Sequence, residues 1–372
     1  MSSCGATSLF TKPNSELETD CHLFRMPAEW EPHRATWLVW PHNRADWEIK
    51  TRAAEHCFGE IVRHLVASER VAIIFHNKRI AKRATGLLQS ISVDLARVET
   101  IIAVTNRSWI RDSGPIFVTR TFGKNAHEVA MTDWEFNGWA RYRRWEHDNR
   151  IPSRLAKYLG YRRFEAKTEA RGRRRRMVLE GGSIDVNGSG VLMTTEECLL
   201  GKVQERNPGM TRSDIERMLG HYLGVNQVIW LGNGIVGDDT HGHVDDVARF
   251  VSPETIVAAY ETDSADPNFR PLMENFDRLR TARNHDDRPF HVVKLPMPKP
   301  RYFDGERLPA SYTNFYVSNQ MVLVPTFNDP ADVKALSILS RLFPSRKIVG
   351  IYSGDLIVGL GAVHCVTQQE PV

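Results

Sequence analysis

The sequence lacks any apolar segment long enough for a membrane helix. Its longest apolar runs, such as residues 71–75, have the length of a strand, whereas a membrane helix needs about 20 apolar residues. Residues 1–20 are polar and mixed, and they contain no apolar core of a secretory signal. These two absences predict a soluble, cytoplasmic protein with no membrane partner.

Cysteine is scarce and widely spaced in this chain. The five cysteines are Cys4, Cys21, Cys57, Cys198 and Cys365, and no two of them form a Cys-x-x-Cys pair. This spacing argues against a zinc site or a redox dithiol and predicts reduced thiols. An isolated cysteine is more often a buried side chain than a nucleophile, so a catalytic role needs suitable neighbours.

The chain has little excess charge of one sign. Its formal net charge is +4, and the excess is concentrated at residues 171–176, which read RGRRRR. No interleaved aromatic residues and no helix-turn-helix pattern accompany this run. We therefore expect a solvated loop there, and no nucleic-acid partner.

The order of apolar segments predicts an α/β fold. Residues 1–25 are rich in Ser, Thr, Asn and charge and are predicted to be a flexible leader, followed by a single domain at residues 26–372. Buried strands are predicted at residues 36–40, 71–75 and 228–230, and amphipathic helices at residues 52–66 and 81–91.

Four later segments share one shape, in which a strand, a short turn and a returning strand follow a polar residue. The predicted hairpins span residues 114–134, 183–194, 247–260 and 314–325. Their leading polar residues, Asp112, Glu180, Asp245 and Asn314, are separated by 68, 65 and 69 positions. A repeat of this kind predicts polar residues converging on one axis. A doubly wound sheet would explain the α/β alternation equally well, but not the matched polar positions.

Two carboxylates precede glycines in these repeats. Asp112 is predicted at a strand start before Gly114, and Glu180 lies before Gly181 and Gly182. Either carboxylate alone is most often a turn residue. The paired glycines after Glu180 would also let a ligand approach the backbone closely.

The segment at residues 237–246, GDDTHGHVDD, has the highest density of polar groups. His243 and Asp245 are two positions apart, so on a strand they would face the same side and share one pocket. His241 and His243 with the aspartates could also be a metal site, although no distant cluster of matching ligands accompanies them.

Cys365 follows a glycine-containing segment near the end of the sequence. A thiol, an imidazole and carboxylates together suit chemistry on a guanidinium, which is planar, cationic and matched by carboxylates. A thiolate can attack its central carbon, and a histidine can protonate the departing ammonia. A cysteine protease would not favour carboxylates around an anionic transition state, and a glycosidase uses no cysteine.

Seven motifs in a common order resemble those of the agmatine deiminases, in the guanidino-group-modifying superfamily that also contains the bacterial peptidylarginine deiminases. The resemblance extends from Met26 nearly to the last residue. The motifs are MPAEWEPH at 26–33, ATW at 35–37, WIRDSGP at 109–115, EGGS at 180–183, RNP at 206–208, GHVD at 242–245 and HCVTQQ at 364–369.

The resemblance implies a fold and an activity. The fold would be a five-bladed α/β propeller, or pentein, with pseudo-fivefold ββαβ units. The activity would be hydrolysis of agmatine, a small-molecule guanidino substrate, to N-carbamoylputrescine and ammonia, with neither a cofactor nor a metal. Members of this family are often oligomeric, so the resemblance leaves a homo-oligomer open.

The resemblance also implies a role for each candidate site residue. Cys365 would be the nucleophile that forms an amidino-cysteine intermediate. His243 would protonate the leaving ammonia and then activate water. The residues around them would be Asp112 and Asp245 holding the guanidinium, Glu180 supporting it or His243, Asp239 binding the distal amine and Trp109 lining the slot.

The sequence departs from the family pattern at two places. Trp139-Ala140-Arg141 stands where Trp-Gly-Gly is usual, and Leu360 and Ala362 interrupt a glycine run. The first change affects a loop over the substrate's tail. Two alternatives therefore remain beside agmatine hydrolysis, namely a deiminase for free or peptide-linked arginine and a non-catalytic cation-binding protein.

Overall fold

The computed structural model describes residues 20–122, 126–170 and 173–372. The α-helices in these ranges are α1 (Arg44–Trp47), α2 (Thr51–Leu65), α3 (Lys78–Ser90), α4 (Ile110–Ser113), α5 (Ile151–Leu159), α6 (Glu196–Leu200), α7 (Arg212–Leu223), α8 (Phe269–Thr281) and α9 (Pro330–Leu342).

The strands in the same ranges are β1 (His33–Val39), β2 (Arg70–Phe75), β3 (Val98–Ile102), β4 (Ile116–Phe122), β5 (Ala126–Asp133), β6 (Arg162–Glu165), β7 (Lys167–Ala170), β8 (Arg173–Arg176), β9 (Asp185–Val186), β10 (Val191–Thr195), β11 (Gln227–Leu231), β12 (Ala248–Ser252), β13 (Thr255–Tyr260), β14 (His291–Pro296), β15 (Arg301–Phe303), β16 (Glu306–Leu308), β17 (Tyr316–Val317), β18 (Met321–Thr326), β19 (Lys347–Tyr352) and β20 (Gln368–Pro371).

Five small sheets repeat one pattern of strands. In each, an antiparallel pair is followed by a parallel neighbour: β4-β5-β6, β9-β10-β11, β12-β13-β14, β17-β18-β19 and β20-β1-β2, the last continuing to β3. At least one helix connects the two parallel strands of each sheet. A ββαβ unit therefore recurs five times in the described residues, and one unit joins β20 near the end of the chain to β1 near its start.

The helices form for reasons that are visible in the sequence. Helix α2 buries Ala54, Phe58, Ile61 and Leu65, which are three or four positions apart and so share one face. Helix α9 begins at a capping box in which the side chain of Asp329 binds the first-turn backbone. In the described part of the chain, no helix combines the length and the apolar composition needed to cross a bilayer.

Most of the predicted elements are confirmed. The mixed α/β class is correct, and the predicted strands and helices before residue 100 coincide with β1, β2, α2 and α3, with at most one predicted residue beyond the end of an element. The strand at residues 228–230 falls within β11, and all four predicted hairpins pair as antiparallel strands. The turn predicted at residues 123–125 lies outside the described residues.

Two local predictions around the candidate site are wrong. Asp112 does not begin a strand but lies in the short helix α4, one turn before β4. His243 and Asp245 do not lie on a strand either, because Val244–Asp246 form a single 3-10 turn that precedes β12. The period-two argument therefore does not apply to this pair.

The predicted leader and the predicted basic loop both need correction. Cys21 and Phe24 are buried, and Arg25 bridges to Thr119, so residues 20–25 are part of the fold. Residues 1–19, with Cys4, lie outside the described part. Within the arginine run, Arg173–Arg176 form strand β8 rather than a loop. Arg176 binds the buried carboxylate of Asp133, which needs a cationic partner because it is shielded from water.

Candidate active site

The segment just before the first strand of each repeat supplies a polar side chain to one site. These residues are Asp112 in α4 before β4, Glu180 before the 3-10 turn Gly181–Ser183 and β9, His243 and Asp245 before β12, Asn314 before β17, and Cys365 before β20. Each lies at an equivalent place in its unit. The polar residues that marked the repeat in the sequence thus lie at matched structural positions.

Three of these side chains meet around Gly182. A Cβ atom at this position would lie 2.6 Å from Nδ1 of His243, 2.8 Å from Oδ1 of Asp112 and 3.1 Å from Oδ2 of Asp245. These separations leave no room for a side chain, so glycine is required here. The backbone of Gly182 also donates to Oδ1 of Asp112 at 3.0 Å. The imidazole and two carboxylates therefore share one small pocket.

Cys365 is buried among hydrogen-bond donors and carboxylates. Nδ2 of Asn314 donates to its Sγ at 3.1 Å, and Sγ lies 3.8 Å from Oδ2 of Asp245. Burial, followed by the negative charges of Asp245 and Asp246, raises the pKa of the Cys365 thiol well above its ordinary value. The thiol is thus neutral at neutral pH, and a cation beside it would favour its ionisation.

His243 lies between two carboxylates. Its Nδ1 is 3.8 Å from Oδ1 of Asp112, and its Nε2 is 3.9 Å from Oε2 of Glu180. Neither ring nitrogen has a hydrogen-bond partner among the described residues. Burial disfavours the charged ring, but Asp112, Cys198 and Glu180 outweigh it and raise the pKa of His243 well above its usual value. The ring is therefore an imidazolium that can donate a proton.

The three carboxylates have different electrostatic environments. Burial raises the pKa of Asp112 to about 6, although Nε1 of Trp139 donates to it at 3.0 Å. Burial also opposes ionisation of Glu180, but Nε of Arg206 at 3.1 Å outweighs it and the pKa falls to about 2. Glu180 therefore stays ionised throughout the neutral pH range. Asp112, in contrast, loses its charge as the pH falls through about 6.

Asp245 is oriented by a buried network. Burial opposes its ionisation, but the His364 ring, whose Nδ1 is 2.6 Å from Oδ2, outweighs this effect and lowers the pKa of Asp245. Nε2 of His364 lies 2.8 Å from Oε2 of Glu29. The guanidinium groups of Arg111 and Arg249 lie 3.2 and 3.0 Å from the Glu29 carboxylate. This network of ion pairs holds the carboxylate of Asp245 in place beside Sγ of Cys365.

Sequence reasoning missed these supporting residues. Glu29, Arg111 and His364 lie inside the motifs at residues 26–33, 109–115 and 364–369, but no spacing indicated that they contact one another. Arg206 likewise lies in the motif at 206–208. The available signal was a charged residue inside an otherwise apolar or turn motif. Such a residue is rarely buried without a partner, so its presence there indicates a buried ion pair.

A cavity of about 270 Å³ leads away from Cys365. Trp109 lines it and packs against the glycines, since a Cβ at Gly361 would lie 2.6 Å from the Trp109 ring. Four polar or charged residues also line it, and we call them the tail end: Asp46, Arg107, Tyr142 and Asp239. The hydroxyl of Tyr142 donates to the Asp239 carboxylate. The structure thus places all seven predicted site residues in or beside one cavity.

The two departures from the family pattern coincide with unusual backbone conformations. Trp139 and Ala140 have φ angles of +57° and +53°, and Leu360 has a φ of +68°. These are left-handed conformations that glycine adopts without strain. The side chains of Trp139 and Leu360 line the cavity. Leu360 therefore gives this cavity a wall that a glycine would not provide, whereas Trp139 belongs to the usual pattern and Ala140 does not line the cavity.

The alternative that residues 237–246 form a metal site is only weakly supported by the available ligand atoms. Among the described residues, Glu180, Cys198 and His243 place potential ligand atoms within 4.8 Å of one another. Arg206 occupies Oε1 of Glu180, and the raised pKa of His243 favours its proton, so the imidazole is not free to ligate a metal ion. His241, which the alternative also needed, pairs with Glu197 at 3.6 Å instead. These residues therefore do not fit a resident metal ion.

Comparison with other proteins gives full-length matches. The family described as Porphyromonas-type peptidyl-arginine deiminase matches residues 25–371. The chain is 34% identical to the agmatine deiminase of Pseudomonas aeruginosa, over 94% of this chain and 95% of that protein. The solved agmatine deiminase of Enterococcus faecalis has a TM-score of 0.85 and 29% identity, covering 97% of this chain and 99% of that one. A solved Cys-to-Ser variant of the C. jejuni agmatine deiminase with substrate bound has a TM-score of 0.80 and 28% identity, covering 93% and 96%.

Proposed function

The chain belongs to the Porphyromonas-type peptidyl-arginine deiminase family, and on that premise we propose that it is a hydrolase that converts agmatine and water to N-carbamoylputrescine and ammonia. The observation that carries this proposal is the convergence of Cys365, His243 and buried carboxylates around Gly182. The substrate is supported by the full-length relatives that are named agmatine deiminases.

The guanidinium binds between the buried carboxylates. Oδ1 of Asp245 and Oε2 of Glu180 are buried and have no hydrogen-bond partner among the described residues. A buried, unpaired carboxylate oxygen is costly, and the N–H groups of a guanidinium would satisfy both oxygens. Asp112 adds a third negative charge to this clamp. The amine of agmatine then lies toward Asp239, and Trp109 packs along the aliphatic linker.

Attack by Cys365 is the first chemical step. The bound cation offsets the negative charges that raise the pKa of the thiol, so the thiol releases its proton to solvent and Sγ attacks the guanidinium carbon. The bond from this carbon to a terminal nitrogen then breaks. His243 donates a proton to that nitrogen, which leaves as ammonia, and an amidino group remains on Cys365.

Water completes the reaction. After donating its proton, His243 is neutral and accepts a proton from the attacking water molecule. The carbon–sulfur bond breaks after the new carbon–oxygen bond forms, and the remaining hydroxyl proton passes to Sγ, which restores Cys365 and releases the ureido product. The proton that His243 took from water makes it ready for the next cycle, and Asp112 and Glu180 favour this charged form of the ring.

The architecture and location belong to the same proposal. Five sheets of one strand order support a five-bladed α/β propeller with pseudo-fivefold symmetry and a single domain. The carboxylates and the thiol would then surround the axis of the ring. A reduced Cys365 is required by this chemistry, so we place the reaction in the cytoplasm, where thiols remain reduced.

Ammonia release from agmatine, free arginine and an arginine peptide tests the proposal. We expect release from agmatine by the unmodified protein and a loss of about 10⁴-fold or more for Cys365→Ser, because the nucleophile is removed. Cys57→Ser is the matched control, since Cys57 is another buried, free cysteine and does not line the catalytic cavity. Absence of ammonia from every guanidino compound would refute the enzymatic function.

A further inference from the structure

Asn314 supplies an amide where two other repeats supply a carboxylate. It lies just before β17, at the place that Asp112 and Glu180 occupy before β4 and β9, and its side chain is fully buried. An amide is neutral, and it both donates and accepts hydrogen bonds. Asn314 therefore adds no charge to the clamp on the guanidinium, and its function follows from its own contacts.

The Asn314 side chain uses all of its hydrogen-bonding positions. Nδ2 donates to Oδ1 of Asp246 at 3.0 Å and to Sγ of Cys365 at 3.1 Å. Oδ1 accepts from the backbone N–H of His364 at 3.0 Å and from that of Cys365 at 3.4 Å. An amide has two N–H donors and an oxygen that accepts two hydrogen bonds. Each of the four positions therefore has a partner, and one of the two donors is directed at the nucleophile.

These partners determine which way the amide points. If Nδ2 and Oδ1 exchanged places, the amide N–H groups would face the backbone N–H groups of His364 and Cys365, so that donors would oppose donors. Oδ1 of Asp246 would also lose the donor that it now binds. The N–H group that faces Sγ is therefore a fixed feature of the site.

Asn314 also holds the backbone from which the nucleophile extends. The backbone N–H of His364 donates to the backbone oxygen of Asn314 at 3.1 Å as well as to its Oδ1. The next N–H along the chain, that of Cys365, donates to the same Oδ1. Main chain and side chain of Asn314 thus bind the two residues that carry Sγ into the site, which restricts where Sγ can lie.

The Asn314 hydrogen bond opposes the other influences on the thiol. Burial, followed by three nearby carboxylates, raises the pKa of Cys365 well above its ordinary value. These carboxylates are those of Asp245, Asp246 and Asp112. The hydrogen bond from Asn314 acts in the opposite direction and lowers the pKa of the thiol. The reason is that an N–H donor binds an anionic sulfur more strongly than a neutral one.

We propose that Asn314 is a positioning residue for Cys365, which holds Sγ in the site and stabilises its thiolate through an N–H group of Nδ2. The amide gives up no proton, so the same donor is present when Sγ attacks and when Sγ later leaves the carbon. This inference rests on the proposed attack by Cys365. It assigns to that step a neutral donor, in addition to the positive charge of the substrate.

Alkylation of Cys365 by iodoacetamide measures its thiolate without requiring turnover. The thiolate is the reactive form, so at a pH below the pKa of the thiol the rate constant decreases about 10-fold for each unit by which that pKa rises. Peptide mass spectrometry distinguishes Cys365 from the other four cysteines. The measurement therefore reports on the thiol itself, whichever guanidino compound the protein hydrolyses.

Two variants remove the N–H donor in different ways. Asn314→Ala removes the amide without adding charge, whereas Asn314→Asp keeps the shape and the oxygen that accepts from the backbone. We expect each to lower the alkylation rate constant at about pH 8 by about 10-fold or more and to shift its pH dependence to higher pH. We expect kcat/KM for agmatine to decrease by a similar factor at about pH 7, and this loss should become smaller as the pH rises.

A double variant provides for the case in which Asn314→Ala does not fold. Asn314→Asp/Asp246→Asn keeps the number of carboxyl groups in this pair while it replaces the donor that faces Sγ. We expect it to shift the pH dependence of alkylation to higher pH, as the single variants do. An unshifted dependence in this variant would overturn the proposal.

Asn275→Asp is the matched control for the loss of a buried amide. Oδ1 of Asn275 accepts from the backbone N–H of Gly232 at 2.7 Å, and its Nδ2 donates to the backbone oxygen of Asn233 at 2.7 Å. Asn275 is buried and does not line the cavity. We expect Asn275→Asp to lower the thermal stability of the protein and to leave the pH dependence of Cys365 alkylation unchanged.

The inference and the proposed function can fail separately. If alkylation of Cys365 kept its pH dependence in the Asn314 variants, the proposal would be overturned even if turnover were lost, because the loss would then be structural. A shift of the same size in Asn275→Asp would overturn it as well. If the unmodified protein released ammonia from no guanidino compound, the proposed function would fail, while an Asn314-dependent alkylation rate would still support the effect of Asn314 on the thiolate.

Discussion

The two ends of the cavity are built in different ways. The catalytic end, formed by Cys365, His243, Asp112, Glu180 and Asp245, is buried and takes its residues from equivalent positions just before the first strands of the repeats. The tail end takes Asp46 from α1 and Arg107, Tyr142 and Asp239 from loops that follow β3, β5 and β11. The repeated framework thus positions the groups that we propose react, while loops outside the repeated positions supply most of the tail end.

Among substitutions at the two ends of the cavity, loss of His243 at the catalytic end should cause the largest decrease in turnover. We expect His243→Ala to lower kcat for agmatine by about 10³-fold, because no group then protonates the leaving ammonia or activates water. A stalled amidino adduct on Cys365 should appear as a mass increase in the intact protein.

His241→Ala is the control for this variant, because His241 is two residues away and pairs with Glu197 outside the cavity lining. We expect it to retain normal turnover. Equal losses from both histidine variants would contradict the assignment of the acid to His243.

The catalytic end should also be intolerant of a single added carbon. We expect Gly182→Ala to lower kcat/KM by about 10²-fold, since its Cβ would displace His243, Asp112 or Asp245 from reacting geometry. Gly86→Ala, in helix α3, has no atom within 4 Å of the added Cβ and should leave turnover unchanged. Unchanged kinetics in Gly182→Ala would mean that the close convergence at this residue is not needed for catalysis.

Substitutions at the tail end should be milder and should affect binding. We expect Asp239→Asn to raise KM for agmatine by about 10-fold with little change in kcat, because the loop carboxylate contacts the amine and not the reacting carbon. Steady-state kinetics separate the two parameters. A loss confined to kcat would contradict the division between a catalytic end and a tail end.

The smallest expected effect is a shift in pH dependence. The pKa of Asp112 is raised to about 6, so its charge is present above that pH and is lost as the pH falls through it. We therefore expect kcat/KM for agmatine to decrease below about pH 6. Nε1 of Trp139 donates to Asp112 and stabilises its charged form, so Trp139→Phe should move this acid limb to higher pH. A limb that stays at the same pH would exclude Asp112 as the titrating group.

The sequence predicted the catalytic end better than the tail end, and the reason is physical. Asp112, Glu180 and Asp245 precede hairpins at a nearly constant spacing, so the repeat itself predicted their convergence. The local geometry was still wrong for Asp112 and Asp245, because a four-residue helix and a single 3-10 turn have too few residues to leave a periodic signal.

The tail end could not be predicted in the same way. Arg107 meets Asp46 and Tyr142 across separations of 61 and 35 positions, and no repeat connects them. The same holds for Glu29 and His364, which are 335 positions apart in sequence and 2.8 Å apart in space. Contacts of this kind depend on how the sheets pack together, which a single sequence does not reveal.

The pairing of β20 with β1 has a consequence for the synthesis of the protein. Thr36 pairs with Gln369, and Cys365 lies just before that last strand. During translation, this sheet cannot close until β20 has left the ribosome. Cys365 emerges just before that strand. A chain terminated before Cys365 therefore lacks both the closing strand and the proposed nucleophile, so we expect such a product to be inactive.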